Sequence, residues 1–143
     1  MFFITACSST PKADIDYKKL ASGTPILKTA KSQLGVLYRY GGRSPATGFD
    51  CSGLTWFSHK TQGINIPRQT AEQFQHGKYI SKKNLKRGDL VFFETYRPGA
   101  SHVGIYSGNG MFIHSPNRNK RVQMQSLSNV YFKHRYLGAR RYW

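Results

Sequence analysis

The stretch SHVGIYSGNGMFIH, running from Ser101 to His114, decides the fold of this chain. Two short runs rich in Val, Ile, Phe and Tyr, His102–Ser107 and Met111–Ser115, flank Gly108-Asn109-Gly110, which is the composition of a β-hairpin. Read as a three-residue loop, the turn is type I and is closed by Gly110 in the left-handed region. Ser107 then pairs with Met111, and Gly104 lies opposite His114. His102 is two residues from Gly104, so His102 and His114 become diagonal neighbours on one face of the sheet. A two-residue turn would send them to opposite faces. The preferred loop therefore sets two imidazoles side by side, one able to act as a base and the other to orient it, with Gly104 leaving space opposite His114.

Outward from the hairpin, Asp89–Glu94 (DLVFFE) reads as a third apolar strand, and Val122/Met124 and Tyr136–Tyr142 as weaker ones. Upstream the texture is helical. Thr24 is placed to cap a helix with Pro25 at its first position, Ile26, Leu27, Ala30 and Leu34 recur at helical spacing, and Gly35 supplies a stop. Gly41–Gly48 is a loop by composition. Asp50 is a plausible cap for a second helix that carries Trp56, Phe57 and Lys60, which puts Cys51 in its first turn; residues 70–76 form a short third helix. Helices first and an antiparallel sheet after define an α+β class rather than βαβ alternation.

A chain of 143 residues, 38% apolar and 14% aromatic, is one domain and holds enough core material to fold without staples. No run of 18 apolar residues is present. Lys and Arg number 22 against 6 Asp and Glu, a net charge of +16, so the surface attracts polyanions: nucleic acid, anionic lipid headgroups or acidic wall polymers. The six carboxylates, Asp14, Asp16, Asp50, Glu72, Asp89 and Glu94, are too few to favour paired-carboxylate glycosidase chemistry or a hard-cation cage. His59, His76, His102, His114 and His134 are scattered, and no Cys/His cluster spells a metal site, so neither metal nor organic cofactor is expected. Of the two cysteines, Cys7 and Cys51, the second is a candidate nucleophile: a helix N-terminus lowers a thiol pKa through its unpaired N–H groups and macrodipole, and those N–H groups can also hold an oxyanion. On its own a free cysteine is more often a small buried hydrophobe; the imidazole pair shifts the balance towards chemistry.

Together these segments resemble the NlpC/P60 family of papain-like cysteine peptidases. The matching stretches are Tyr38-Arg39-Tyr40-Gly41-Gly42, Gly48-Phe49-Asp50-Cys51-Ser52-Gly53-Leu54, Ile66-Pro67-Arg68-Gln69-Thr70, Gly88–Phe93, Ser101–Tyr106 and Phe112-Ile113-His114. They span roughly residues 25–142 in the family's order and spacing. The resemblance implies a papain-like α+β fold, with N-terminal helices packed on a central antiparallel sheet, and an enzyme that cuts peptidoglycan peptides. It implies Cys51 as nucleophile, His102 as general base and His114 as the group that orients His102. Tyr38 would assist the oxyanion site, and Asp50, Ser52, Arg68 and Ser101 would contact substrate. Arg87 stands where the family usually has proline, a change expected to matter only at the surface.

The same resemblance leaves two bonds open, the D-alanyl–diaminopimelate cross-link and the γ-D-glutamyl–diaminopimelate bond. The short chain and its lipoprotein-like start lean towards the first. Ile4-Thr5-Ala6-Cys7 resembles a bacterial lipobox, so residues 1–24 are read as a lipobox-like start and tether before a catalytic domain at 25–143. A lipid anchor at Cys7 would place the domain in the bacterial envelope. The expected partner is peptidoglycan, with anionic wall polymers or a membrane surface drawn to the basic face and no specific nucleic acid. The competing readings are a secreted toxin using the same chemistry, a basic polyanion-binding protein on the same scaffold, and acyl transfer in place of hydrolysis.

Overall fold

The computed structural model describes residues 20–143. The lipobox-like segment and most of the tether lie outside the described residues. Helix α1 spans Thr24–Ser32, and its cap is Gly23 rather than Thr24. The shift has a steric cause: a Cβ on residue 23 would stand 2.1 Å from the Arg87 carbonyl and 2.5 Å from the Trp143 indole nitrogen. The chain therefore enters the helix through a close backbone approach that only glycine allows. Pro25 occupies the first turn as expected, and Ile26, Leu27 and Ala30 are buried, while Leu34 lies beyond the helix and is largely exposed.

A minimal hairpin, β1 (Arg43–Ser44) and β2 (Gly48–Phe49), leads into α2 (Cys51–Lys60). Helix α3 (Thr70–His76) follows, then β3 (Lys78–Ile80) and a 3-10 turn at Lys82–Asn84. The remaining elements are β4 (Leu90–Phe93), β5 (His102–Gly108), β6 (Met111–His114), β7 (Gln123–Ser126), α4 (Val130–Arg135) and β8 (Tyr136–Arg141). Six strands form one sheet in the order β3-β8-β4-β5-β6-β7, every neighbouring pair antiparallel. This is the expected α+β arrangement. The segments α4 and β3 have no counterpart in the sequence reading, because α4 is short and carries no apolar periodicity and β3 holds only three residues.

Strand β4 is buried along its whole length, and its side chains alternate between two cores. Leu90 and Phe92 join Ile26, Leu27, Leu54, Val103, Ile105 and Ile113 on the side covered by α1 and α2. Val91 and Phe93 join Ile80, Phe112, Leu127 and Ala139 on the other, where Phe132 of α4 packs. The sheet is thus covered on both faces, which accounts for the unbroken apolar run of β4.

The central hairpin reaches the predicted register by a different turn. Gly108, not Ser107, pairs with Met111, leaving a two-residue Asn109-Gly110 loop, both residues at positive φ (54° and 73°). That loop alone would invert the faces. A bulge between Tyr106 and Gly108 inserts the residue that restores them, and Ile105 pairs with Ile113 as the three-residue reading required.

Candidate active site

Register decides where the imidazoles stand. His102 pairs with Phe93, and His114 lies two residues beyond Phe112, so both belong to the sheet face that packs against α4. Their rings meet with His102 Nε2 2.7 Å from His114 Nδ1. Gly104 makes this possible: a Cβ there would lie 2.6 Å from the Phe112 ring and 3.3 Å from His114 Cβ. Phe132 closes the pair from α4, edge-on to His114 with ring centroids 5.3 Å apart. Both imidazoles are buried, and burial pushes their pKa values down, that of His102 to about 4 and that of His114 to about 3, the latter helped by the neighbouring His102. They are neutral at pH 7.

Cys51 arrives from the opposite layer. Asp50 caps α2 by accepting the Gly53 N–H at 2.6 Å, which fixes Cys51 at the helix start as the sequence suggested. Gly53 is required there, because a Cβ would stand 1.9 Å from the Gly42 carbonyl. The Cys51 thiol lies 3.5 Å from Thr70 Oγ1, at the start of α3, and 4.0 Å from the Ser101 carbonyl oxygen. It therefore sits over the end of the sheet where β5 begins, and it shares one cleft of about 320 Å³ with His102, Tyr38, Asp50, Ser52 and Arg68.

The electrostatics of the thiol differ from the sequence expectation. Burial pushes the Cys51 pKa up, the Thr70 hydroxyl opposes this, and the Asp50 charge adds to it. The helix N-terminus does not outweigh that desolvation. Burial thus favours the uncharged form of both the Cys51 thiol and the His102 imidazole.

The other predicted residues divide. Tyr38 lines the cleft, and burial first, then the neighbouring Cys51 and Asp50, raise its pKa, so the phenol remains a hydrogen-bond donor. Arg68 pairs with Asp50 (Nη2 to Oδ2, 3.0 Å), donates to Ser52 Oγ at 2.8 Å and to the Gly42 carbonyl at 3.2 Å. These three polar residues line the cleft and hold one another in place. Ser101 departs from the expected substrate contact. Its side chain is fully buried, and its hydroxyl accepts the Thr95 N–H at 2.9 Å, so it ties down the β4–β5 loop and does not face the cleft.

Sequence reasoning missed Thr70, Tyr96, Arg97 and Phe132. Thr70 ended a quoted motif, but only the convergence of α2 and α3 brings it to the thiol. That convergence is fixed by Gln73, which accepts from Thr55 Oγ1 (2.8 Å) and donates to the Ser52 and Pro67 carbonyls (3.2 and 2.8 Å). Among the described residues no group of three or more His, Cys, Asp or Glu is placed to hold a metal ion, and no helix is long and apolar enough to cross a membrane.

A cysteine at a helix N-terminus, sharing a cleft with an imidazole that is hydrogen-bonded to a second imidazole on an antiparallel sheet, is the arrangement of the papain-like class of fold. The sequence pattern of the NlpC/P60 family matches residues 35–141, and the chain belongs to that family. It is 45% identical over 135 residues to "Murein DD-endopeptidase MepH" of Escherichia coli (strain K12), covering 90% of this chain and 49% of that protein. It is 40% identical over 120 residues to "Gamma-DL-glutamyl hydrolase" of Bacillus subtilis (strain 168), covering 82% of this chain and 29% of that protein. The chain thus spans half or less of the length of these two relatives. A solved NlpC/P60 family protein from Bacillus cereus ATCC 10987 superposes with a TM-score of 0.78 at 38% identity, over 85% of this chain and 40% of that one.

Proposed function

We propose that this protein is a cysteine endopeptidase that hydrolyses peptide bonds of peptidoglycan, with Cys51 as nucleophile, His102 as general base and His114 as its orienting partner. The observation that carries the reading is the 2.7 Å contact of His114 with His102, which lines the same cleft as Cys51. The role fixes the tautomers. His102 donates its Nε2 proton to His114 Nδ1, which leaves the Nδ1 lone pair of His102 free to take the thiol proton.

Substrate entering the cleft excludes water and brings its carbonyl carbon to Cys51 Sγ. His102 accepts the thiol proton as the S–C bond forms. The oxyanion is met by the Cys51 N–H at the start of α2 and by the Tyr38 hydroxyl. The imidazolium of His102 then protonates the leaving nitrogen, the C–N bond breaks, and a thioester remains on Cys51. Water, deprotonated by His102, attacks the thioester and restores the thiol. His114 stabilises each imidazolium by accepting its Nε2 proton in a hydrogen bond.

The bond proposed first is the D-alanyl–diaminopimelate cross-link, supported by the relative named a murein DD-endopeptidase; the relative named a γ-DL-glutamyl hydrolase supports the second candidate. The reading carries with it a location in the bacterial envelope, where such a substrate is found, and a lipid anchor at Cys7, which the Ile4–Cys7 sequence suits. Incubation with murein sacculi, with cross-linked dimeric muropeptides and with monomeric stem peptides, followed by mass spectrometry, tests the reading. Conversion of dimers to monomers supports the cross-link, and cleavage after D-glutamate supports the γ-glutamyl bond. Folded protein that leaves all three intact contradicts the endopeptidase.

A further inference from the structure

We propose that Arg97, presented at the rim of the cleft by the β4–β5 loop, binds a carboxylate of the substrate, so that the site selects peptides with a free carboxylate beside the scissile bond. The inference rests on the endopeptidase reading and names a specificity residue for it. Two guanidinium groups line the cleft. Arg68 is already neutralised by Asp50 and has given its N–H groups to Ser52 and Gly42. Among the described residues the ion pairs are Arg68–Asp50 and Arg141–Asp89, so Arg97 carries positive charge that no carboxylate of the described chain offsets.

The loop is built to hold that charge in place. Glu94 Oε2 accepts the Gly99 N–H at 2.8 Å, and Ser101 Oγ accepts the Thr95 N–H at 2.9 Å, so the loop is tied across itself and to the residue that precedes His102. At the tip, the Arg97 guanidinium lies 5.4 Å from the centre of the Tyr96 ring. The guanidinium is within cation–π reach of that ring, and no hydrogen bond among the described residues occupies its N–H groups, which suits it to a bidentate carboxylate. Tyr96 stands between the Cys51 cleft and an adjoining hollow of about 170 Å³ beside His114, Tyr131 and Phe132. Arg97 therefore lines the Cys51 cleft next to a residue that the two hollows share. Peptides joined through a γ-glutamyl or diamino-acid unit keep a carboxylate next to the cut bond, and that group is the ligand chemistry the site takes.

A pair of thiol reagents differing only in charge tests this without relying on murein cleavage. Iodoacetate and iodoacetamide both alkylate Cys51: the sulfur forms a bond to carbon as iodide leaves, and the thiol proton passes to His102 and then to buffer. Rates are followed by mass mapping of the peptide that bears Cys51, which separates it from Cys7. The expected result is an iodoacetate-to-iodoacetamide rate ratio about fivefold higher in wild type than in Arg97→Gln, a difference that shrinks as salt is added, with Arg97→Lys in between. Arg97 is exposed, so the variants keep the fold. Equal ratios in wild type and Arg97→Gln overturn the proposal. A second arm compares muropeptides with free and amidated carboxyl groups: wild type favours the free acid through KM, and Arg97→Gln loses that preference. Wild type that cleaves neither muropeptide overturns the endopeptidase reading, while the alkylation ratio still decides the role of Arg97.

Discussion

His114 touches no reacting atom in the proposed mechanism, yet the rate depends on it through one hydrogen bond. Removing the Nδ1 acceptor frees the His102 ring to rotate and to take the wrong tautomer. His114→Ala is expected to lower kcat about 100-fold with little change in KM, and His114→Asn, which keeps an acceptor, to recover most of the loss; steady-state kinetics on one muropeptide checks both. The buried, protonated thiol makes a second prediction. A cysteine resting as an ion pair alkylates well in acid, whereas a neutral pair does not. The rate of Cys51 alkylation by iodoacetamide is expected to climb through the alkaline range with no plateau between about pH 4 and 7, because burial raises the thiol and lowers His102 to about 4. A flat, fast rate across the acid range would mean that thiolate and imidazolium coexist in the free enzyme.

At the scale of elements, the β5–β6 hairpin couples fold to site. Gly104→Ala forces a Cβ to 2.6 Å from Phe112 and 2.9 Å from the Ile113 carbonyl, so it is expected to cost about 1–3 kcal/mol in urea denaturation and to part the two imidazoles, lowering activity further than stability alone explains. A second clip joins β8 to the turn before β4. Arg141 holds the fully buried Asp89 through Nε–Oδ1 at 2.7 Å and Nη2–Oδ2 at 2.8 Å. Arg141→Ala strands that carboxylate, with an expected loss of about 3 kcal/mol on the same measurement. The hairpin also shows how far the sequence could be read. Its two apolar runs and the Gly104 gap were enough to set His102 beside His114, since register is dictated by which faces must be buried. The bulge that delivers the register was not legible, because a two-residue loop with a bulge and a three-residue loop share the same glycines. Helix α2 and its cap were legible for the same local reason, an aspartate ahead of an apolar run. What could not be read was assembly: Cys51 and His102 belong to opposite layers of the sheet, and their meeting depends on Thr70, Gln73 and Phe132, whose roles exist only once the elements pack.

Across the whole molecule, three neutral histidines sit in the interior. His59 is fully buried, bonded through Nδ1 to the Thr55 carbonyl at 2.7 Å, and its pKa falls to about 4 by burial, alongside the values of about 4 and 3 for His102 and His114. In the unfolded chain these groups titrate near 6.5. Between those limits the unfolded state binds more protons, so stability is complete above about pH 6.5 and drains away as the pH falls towards 4. His59 alone accounts for roughly 3 kcal/mol of that loss, and the +16 charge adds self-repulsion in the same direction. Denaturant midpoints are expected to drop steeply from pH 7 to pH 4.5; a midpoint that holds steady would show that these imidazoles are charged or solvated in the native state.

In the proposed mechanism one thiol, placed at the start of α2 and served by the two sheet imidazoles, performs the cleavage. Cys51→Ala tests it most directly: the side chain is small and buried beside Thr70, and the Asp50 cap does not depend on it. Wild type and variant, matched by circular dichroism and melting temperature, are given the same muropeptides and the products are weighed. Cleavage by wild type and none above background by Cys51→Ala is the expected result. Cleavage by the variant at the wild-type rate would contradict it and move the chemistry to another part of the molecule.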